Sequence, residues 1–211
     1  MIFGLLYLQR AQACGISAWT TLIGLNWACA LIYPPLILLG GQVHLDLIYQ
    51  PALVGGLFVF GQFCVLMSIR WGDVSISAPV QGVKVLLVPA IAAIFTSAQI
   101  PETIWWSAAL ALIGIVLVQA KKGHGSRKQI TLGIAFALSA ALCMSVFDLL
   151  LQEWASTWGS GIFLTLTFGF AALFVMPFLP LADSVARIRE LKMTRVVLAG
   201  CLLMAVQSIG M

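Results

Sequence analysis

Apolar residues in this chain run in long blocks, interrupted by short stretches that hold nearly all of the charge. Read between those stretches, the chain opens with a run at 1–9 that ends at Arg10. Spans are predicted at about 16–40, 51–69, 75–98, 103–120, 130–153 and 161–182, and a last run begins near 195 and reaches Met211. A helix that crosses a bilayer needs roughly 20 residues, so the first and last runs are short and the rest are long enough. The blocks do not alternate polar with apolar, which argues against a membrane β-barrel. Connections are tight and favour antiparallel neighbours. The nearest thing to a linker is "KKGHGSRKQ" at 121–129. The N-terminus lacks a basic residue before its apolar run and a small-residue cleavage site after it, so it does not read as a signal peptide.

Composition agrees with the pattern. The chain is 62% hydrophobic and 9% charged, where a soluble domain is about a quarter charged. The expected class is an all-α, multi-pass membrane protein. Net charge is +4, and its placement matters more than its size. Arg10, Arg70, the 121–129 loop and the 184–195 loop carry every basic residue except Lys84. These four places follow spans one, three, five and seven, so all lie on one side. The loops on the other side hold Asp46, Glu102 and Glu153 without a cation. The positive-inside rule makes the basic side cytoplasmic in a plasma membrane. That rule also accounts for "KKGHGSRK" without a phosphate or lipid-headgroup site, and for the basic excess without nucleic acid. Trp71, Trp105, Trp106, Trp154 and Trp158 fall near predicted span ends and read as interfacial belts. Cys14, Cys29, Cys64, Cys143 and Cys201 have no Cys-x-x-Cys spacing and read as inert buried thiols. His44 and His124 stand in different loops, so neither a metal site nor a cofactor is predicted.

The chain also resembles itself at a shift of 143 residues. "MIFGLLYLQRAQACGIS" lies over "MSVFDLLLQEWASTWGS", with Gln9 on Gln152 and Ser17 on Ser160; further on, Ala28 meets Ala171 and Pro34 meets Pro177. Arg10 lies over Glu153, and the cation-free loop "GQVHLDLIYQ" lies over "DSVARIRELKMTR" with its four cations. An odd number of spans per repeat turns the second copy upside down, and loop charge must then reverse. Inverted repeats are a device of secondary transporters, whose site lies between the copies near the midplane. The register predicts five-helix units, ten helices when complete and about seven to eight represented here, so the sequence reads as a fragment.

Two charges lie within apolar spans. Lys84 is about ten residues into a span that enters near 74, hence roughly 15 Å deep at 1.5 Å per residue. A charge at that depth costs roughly 2.5–3.5 kcal/mol on insertion scales, so it needs water, a partner or neutralisation. Ser77, Gln81 and Lys84 stand at i, i+4 and i+7, one polar stripe that cannot face lipid. A structural lysine bonded to carbonyls is the bland alternative. Asp148 precedes Glu153 by five residues. Taking Glu153 as the span end puts Asp148 about 7–8 Å from the outer surface, and Lys84 deeper by roughly 12 Å. A direct Lys84–Asp148 ion pair is therefore not expected unless tilt intervenes, and Asp148 reads either as a gate at the outer mouth or as a solvated interfacial acid. Gln62 and Asn26 are candidates for further polar contacts of the path, although mid-helix amides more often bond helices together. Gly55, Gly56 and Gly61 read as close packing; Pro89 is placed to kink its span, and Pro34-Pro35 to bend or end theirs.

A Gly-Asp pair entering a helix, then Pro, then Lys, then a second helix with Gly near its end, resembles the EamA-type repeat of the drug/metabolite transporter superfamily. The residues are Gly72, Asp73, Pro79, Lys84 and Gly114. The resemblance implies a first repeat over 1–120 and the start of a second, inverted one over 130–211. Members often place a Glu near the end of the fourth helix, where this chain has Ala98; Glu102 does not align with it. The family is often drawn with cytoplasmic termini, which the loop charges here reverse. The function implied is a permease that moves a small metabolite or drug-like solute by alternating access, without catalytic residues. The partners expected are the solute, the bilayer and, for a truncated chain above all, a second copy in a homodimer. The alternatives are a non-transporting membrane subunit or truncated relic, and an intramembrane enzyme on lipid-linked substrates.

Overall fold

The computed structural model describes residues 14–71, 83–84, 87–91, 101–103, 105–107, 109–110, 113, 127–183 and 199–202. The described residues are helical, with no strand among them. Four α-helices lie in the two long described segments: α1 (Ala18–Ile32), α2 (Tyr49–Trp71), α3 (Arg127–Trp158) and α4 (Ser160–Phe174). Six-residue 3₁₀ turns follow α1 at Pro34–Leu39 and α4 at Met176–Leu181. Three stretches are long and apolar enough to cross a membrane: Ala18–Leu38, Leu45–Arg70 and Thr131–Trp158. The all-helical membrane class read from composition stands at this level.

The boundaries differ from the predicted ones for local reasons. Pro34-Pro35 ends α1, as proline removes the N–H that would continue the ladder, and the backbone finishes in 3₁₀ geometry. The span predicted at 161–182 ends in the same way, with α4 giving way to 3₁₀ geometry around Pro177 and Pro180. The span predicted at 130–153 is the most altered. Its expected end is Glu153, yet α3 runs 32 residues to Trp158. A glutamate is a good helix former, and only Gly159, with φ of 81°, breaks the helix.

The chain forms two compact units, Met1–Val59 with Trp154–Met211 and Phe60–Glu153, and the division falls inside α2 and α3. In the first unit α1 packs on α4, the turn after α1 packs on α4, and the turn after α4 packs on α1. The contacts alternate ends. At one end the Gly161 backbone lies so close to the Leu36 carbonyl that no Cβ would fit, and Gln42 N–H donates to the Trp158 carbonyl at 2.9 Å. At the other, Trp19 stacks on Phe178 with centroids 4.9 Å apart, and Ser17 N–H donates to Asp183 Oδ2. Each helix therefore starts beside the end of the other's 3₁₀ turn, and the two run antiparallel. Both are 15 residues long, both are followed by a six-residue turn, and their starts are offset by one residue from the 143-residue repeat. Gly41 and Gly159 meet where the chain enters α4; both have positive φ, and a Cβ on Gly159 would lie 2.6 Å from Gly41 Cα.

Glycine also sets the approach of α2. A Cβ on Gly55 would lie 2.6 Å from the Thr167 carbonyl oxygen, and Phe58 sits edge-on to Phe168 at 5.0 Å. In the second unit Gly61 packs against the Met144 side chain. The close-packing expectation holds for Gly55 and Gly61. A Cβ on Gly56 would have ordinary contact, 3.7 Å from the Phe174 ring.

Candidate functional site

Lys84 and Asp148 meet. Lys84 Nζ lies 2.6 Å from Asp148 Oδ2, with 23% and 25% of their side chains exposed. This overturns the expectation that depth keeps them apart, and the cause is the boundary of α3. Measured from Trp158 rather than Glu153, Asp148 is ten residues from the helix end, about 15 Å at 1.5 Å per residue. That shift closes about 7–8 Å of the roughly 12 Å separation, and the flexible four-carbon stem of the lysine spans the rest. Asp148 is thus held within α3 as the partner of Lys84, ten residues before the helix end. Opposite charges in contact relieve each other, which answers the cost of burying either alone.

Local structure places both groups. Leu87 N–H donates to the Val83 carbonyl at 3.0 Å, a helical turn that holds Lys84. On α3, Met144 and Asp148 are one turn apart on one face. Met144 packs on Gly61, so that face looks toward α2. Ser145 is fully buried and its hydroxyl donates to its own helix at the Ala141 carbonyl, 2.7 Å away, while Phe147 is buried and apolar.

Gln62 is half-buried on α2 beside Gly61 and is not a member of the ion pair. Ser77, Gln81, Gly72, Asp73, Pro79 and Gly114 lie outside the described residues, as do Ala98 and the basic loops at Arg10, 121–126 and 184–195. Arg70 is exposed near the end of α2. Among the described residues no three His, Cys, Asp or Glu side chains gather to hold a metal ion.

Three readings need correction. Trp158 is fully buried; its Nε1–H donates to Gln50 Oε1 at 2.9 Å and His44 meets its ring edge-on. It is a core residue, not part of a headgroup belt, because α3 carries it into the first unit. Trp105 and Trp106 are exposed. Asn26 does not bond helix to helix: its Nδ2 donates to Leu22 of its own helix at 2.8 Å. Cys29, Cys64 and Cys201 are buried, but Cys14 is exposed and Cys143 only half-buried.

One polar anchor had no sequence signal. Asp183 Oδ2 accepts from Ser17 N–H and from Thr20 Oγ1 at 3.0 Å, and Asp183 N–H donates to Thr20 Oγ1 at 2.8 Å. A carboxylate at a helix N-terminus is favoured by the orphan N–H groups and the helix dipole. More than 160 residues separate the partners, so only the fold joins them. No family model matches the chain, and no curated protein sequence matches it.

Proposed function

We propose that this chain is an integral membrane permease for a small metabolite or drug-like solute, with the Lys84–Asp148 pair as the polar centre of its path. The pair carries the reading. Two opposite charges lie mid-span in apolar sequence, held 2.6 Å apart, and each keeps about a quarter of its side chain exposed. Intramembrane charges are expensive and mark substrate or ion pathways. A purely structural pair would be as well served by apolar packing.

The EamA-type organisation belongs to the same proposal. It rests on Gly72, Asp73, Pro79, Lys84 and Gly114 in sequence. The antiparallel α1 and α4, each seated on the other's 3₁₀ turn, support it, because reciprocal contacts are what two copies related by a two-fold axis make. Two inverted five-helix repeats, with the loops at Arg10, Arg70, 121–129 and 184–195 facing the cytoplasm, complete the reading. An intramembrane enzyme is disfavoured on chemical grounds: Lys84 and Asp148 hold each other, and the nearby Ser145 hydroxyl is spent on its own helix.

The test is solute flux in proteoliposomes, using labelled amino acids, nucleobases, sugars and carboxylates, with Lys84→Met alongside. Flux of at least one solute that falls with Lys84→Met is expected. Flux indifferent to that change would remove the site, and no flux of any solute would remove the permease.

A further inference from the structure

We propose that Asp148 is an internal stand-in for the solute: its carboxylate fills the seat at Lys84 that a small organic anion takes on loading. This rests on the permease reading and names the substrate class, a molecule presenting a carboxylate or a comparable single negative charge.

The asymmetry of the pair points to an anion rather than a cation. The lysine ammonium offers three N–H donors on a flexible four-carbon stem. It can hold Asp148 and a second carboxylate together during an exchange, and follow either one. Asp148 has a short side chain fixed to a 32-residue helix and moves only with it. A cation seat would need further acceptor oxygens around Asp148. Its described neighbours on α3 offer few: Met144 packs on Gly61, Phe147 is buried and apolar, and Ser145 adds one fully buried hydroxyl oxygen. An anion seat needs donors, and Lys84 supplies them.

Exposure makes the exchange feasible. The Asp148 side chain is 25% exposed and that of Lys84 23%, so the pair is not sealed in packed protein. A displaced carboxylate keeps an exposed surface, which in the permease reading faces the solute path. With no solute present, Asp148 neutralises Lys84 and no bare charge stands mid-span.

The experiment is equilibrium binding of radiolabelled benzoate to the full chain purified in detergent, with benzylammonium as a cation of similar size. Asp148→Asn should bind benzoate about tenfold more tightly than the unchanged protein, the low end for a close charge pair. Lys84→Met should abolish benzoate binding, and neither change should raise benzylammonium binding. A gain of affinity cannot come from misfolding, so the result stands even if Lys84→Met folds poorly. Benzoate bound no more tightly by Asp148→Asn would overturn the proposal. So would benzylammonium bound more tightly by Lys84→Met, which would make Lys84 a stand-in for a cation. Flux is measured separately: a tenfold gain in benzoate binding with no flux of any solute tested keeps the anion seat and removes the permease, whereas flux without the gain removes the anion seat alone.

Discussion

The ammonium of Lys84 and the carboxylate of Asp148, 64 residues apart in sequence, are 2.6 Å apart in space. Each is the partner the other requires in an apolar span. Their coupling is open to a double-mutant cycle. Lys84→Met and Asp148→Asn should each lower thermal stability in detergent, by about 1–3 kcal/mol for a pair between the exposed and buried limits. The double variant should lose less than the sum. Strict additivity would show that the two charges do not interact.

Gly55 and Gly61 give a contrast within one helix. A Cβ at Gly55 would press on the backbone of α4, 2.6 Å from the Thr167 oxygen and 3.1 Å from Ala171 N. At Gly61 it would meet only the flexible Met144 side chain, at 3.1 Å and beyond. Gly55→Ala should therefore destabilise by about 1–3 kcal/mol, the usual cost of overpacking, and Gly61→Ala by well under that. Equal midpoints in a thermal melt would contradict the packing described.

Burial of Trp158 is visible to fluorescence. A variant retaining Trp158 alone of the seven tryptophans should emit to the blue and resist iodide. One retaining only Trp106, which is 70% exposed, should show headgroup-level emission and depend on the surrounding detergent. Trp158→Phe should cost about 1–3 kcal/mol, because it leaves the buried Gln50 carbonyl without its indole donor. A Trp158 readily quenched by iodide would return it to the interfacial belt.

The Asp183 anchor predicts a local effect. Asp183→Ala removes the acceptor for Ser17 N–H and Thr20 Oγ1 and should cost about 0.5–2 kcal/mol, as other lost helix caps do. Hydrogen exchange should quicken in the first turn of α1, near Trp19 and Thr20, and leave the middle of α3 unchanged. Exchange quickened throughout the chain would mean that Asp183 does more than tie one helix start.

Much of this was legible in order of residues. Solvent class follows from composition, because a chain 62% hydrophobic and 9% charged has few places to meet water. Pro34-Pro35 announced the end of α1 through the missing N–H of proline. Lys84 announced itself as an anomaly in apolar sequence. These properties belong to single residues or to neighbours along the chain, so spacing alone expresses them.

The partner of Lys84 was not legible, and the reason is geometric. Depth counted from Glu153 treats that acid as the interface. The helix runs through that acid to Trp158 and breaks at Gly159, which places Asp148 ten residues before the helix end. A five-residue shift of one boundary, about 7–8 Å along a helix, brings Asp148 within reach of the flexible Lys84 stem. Trp158 moved from belt to core for the same cause. The link between Asp183 and Ser17 joins segments 166 residues apart, and no local pattern encodes it. Propensity and polarity act between near neighbours; the pairing of distant polar groups is decided by which helices pack together and in which register.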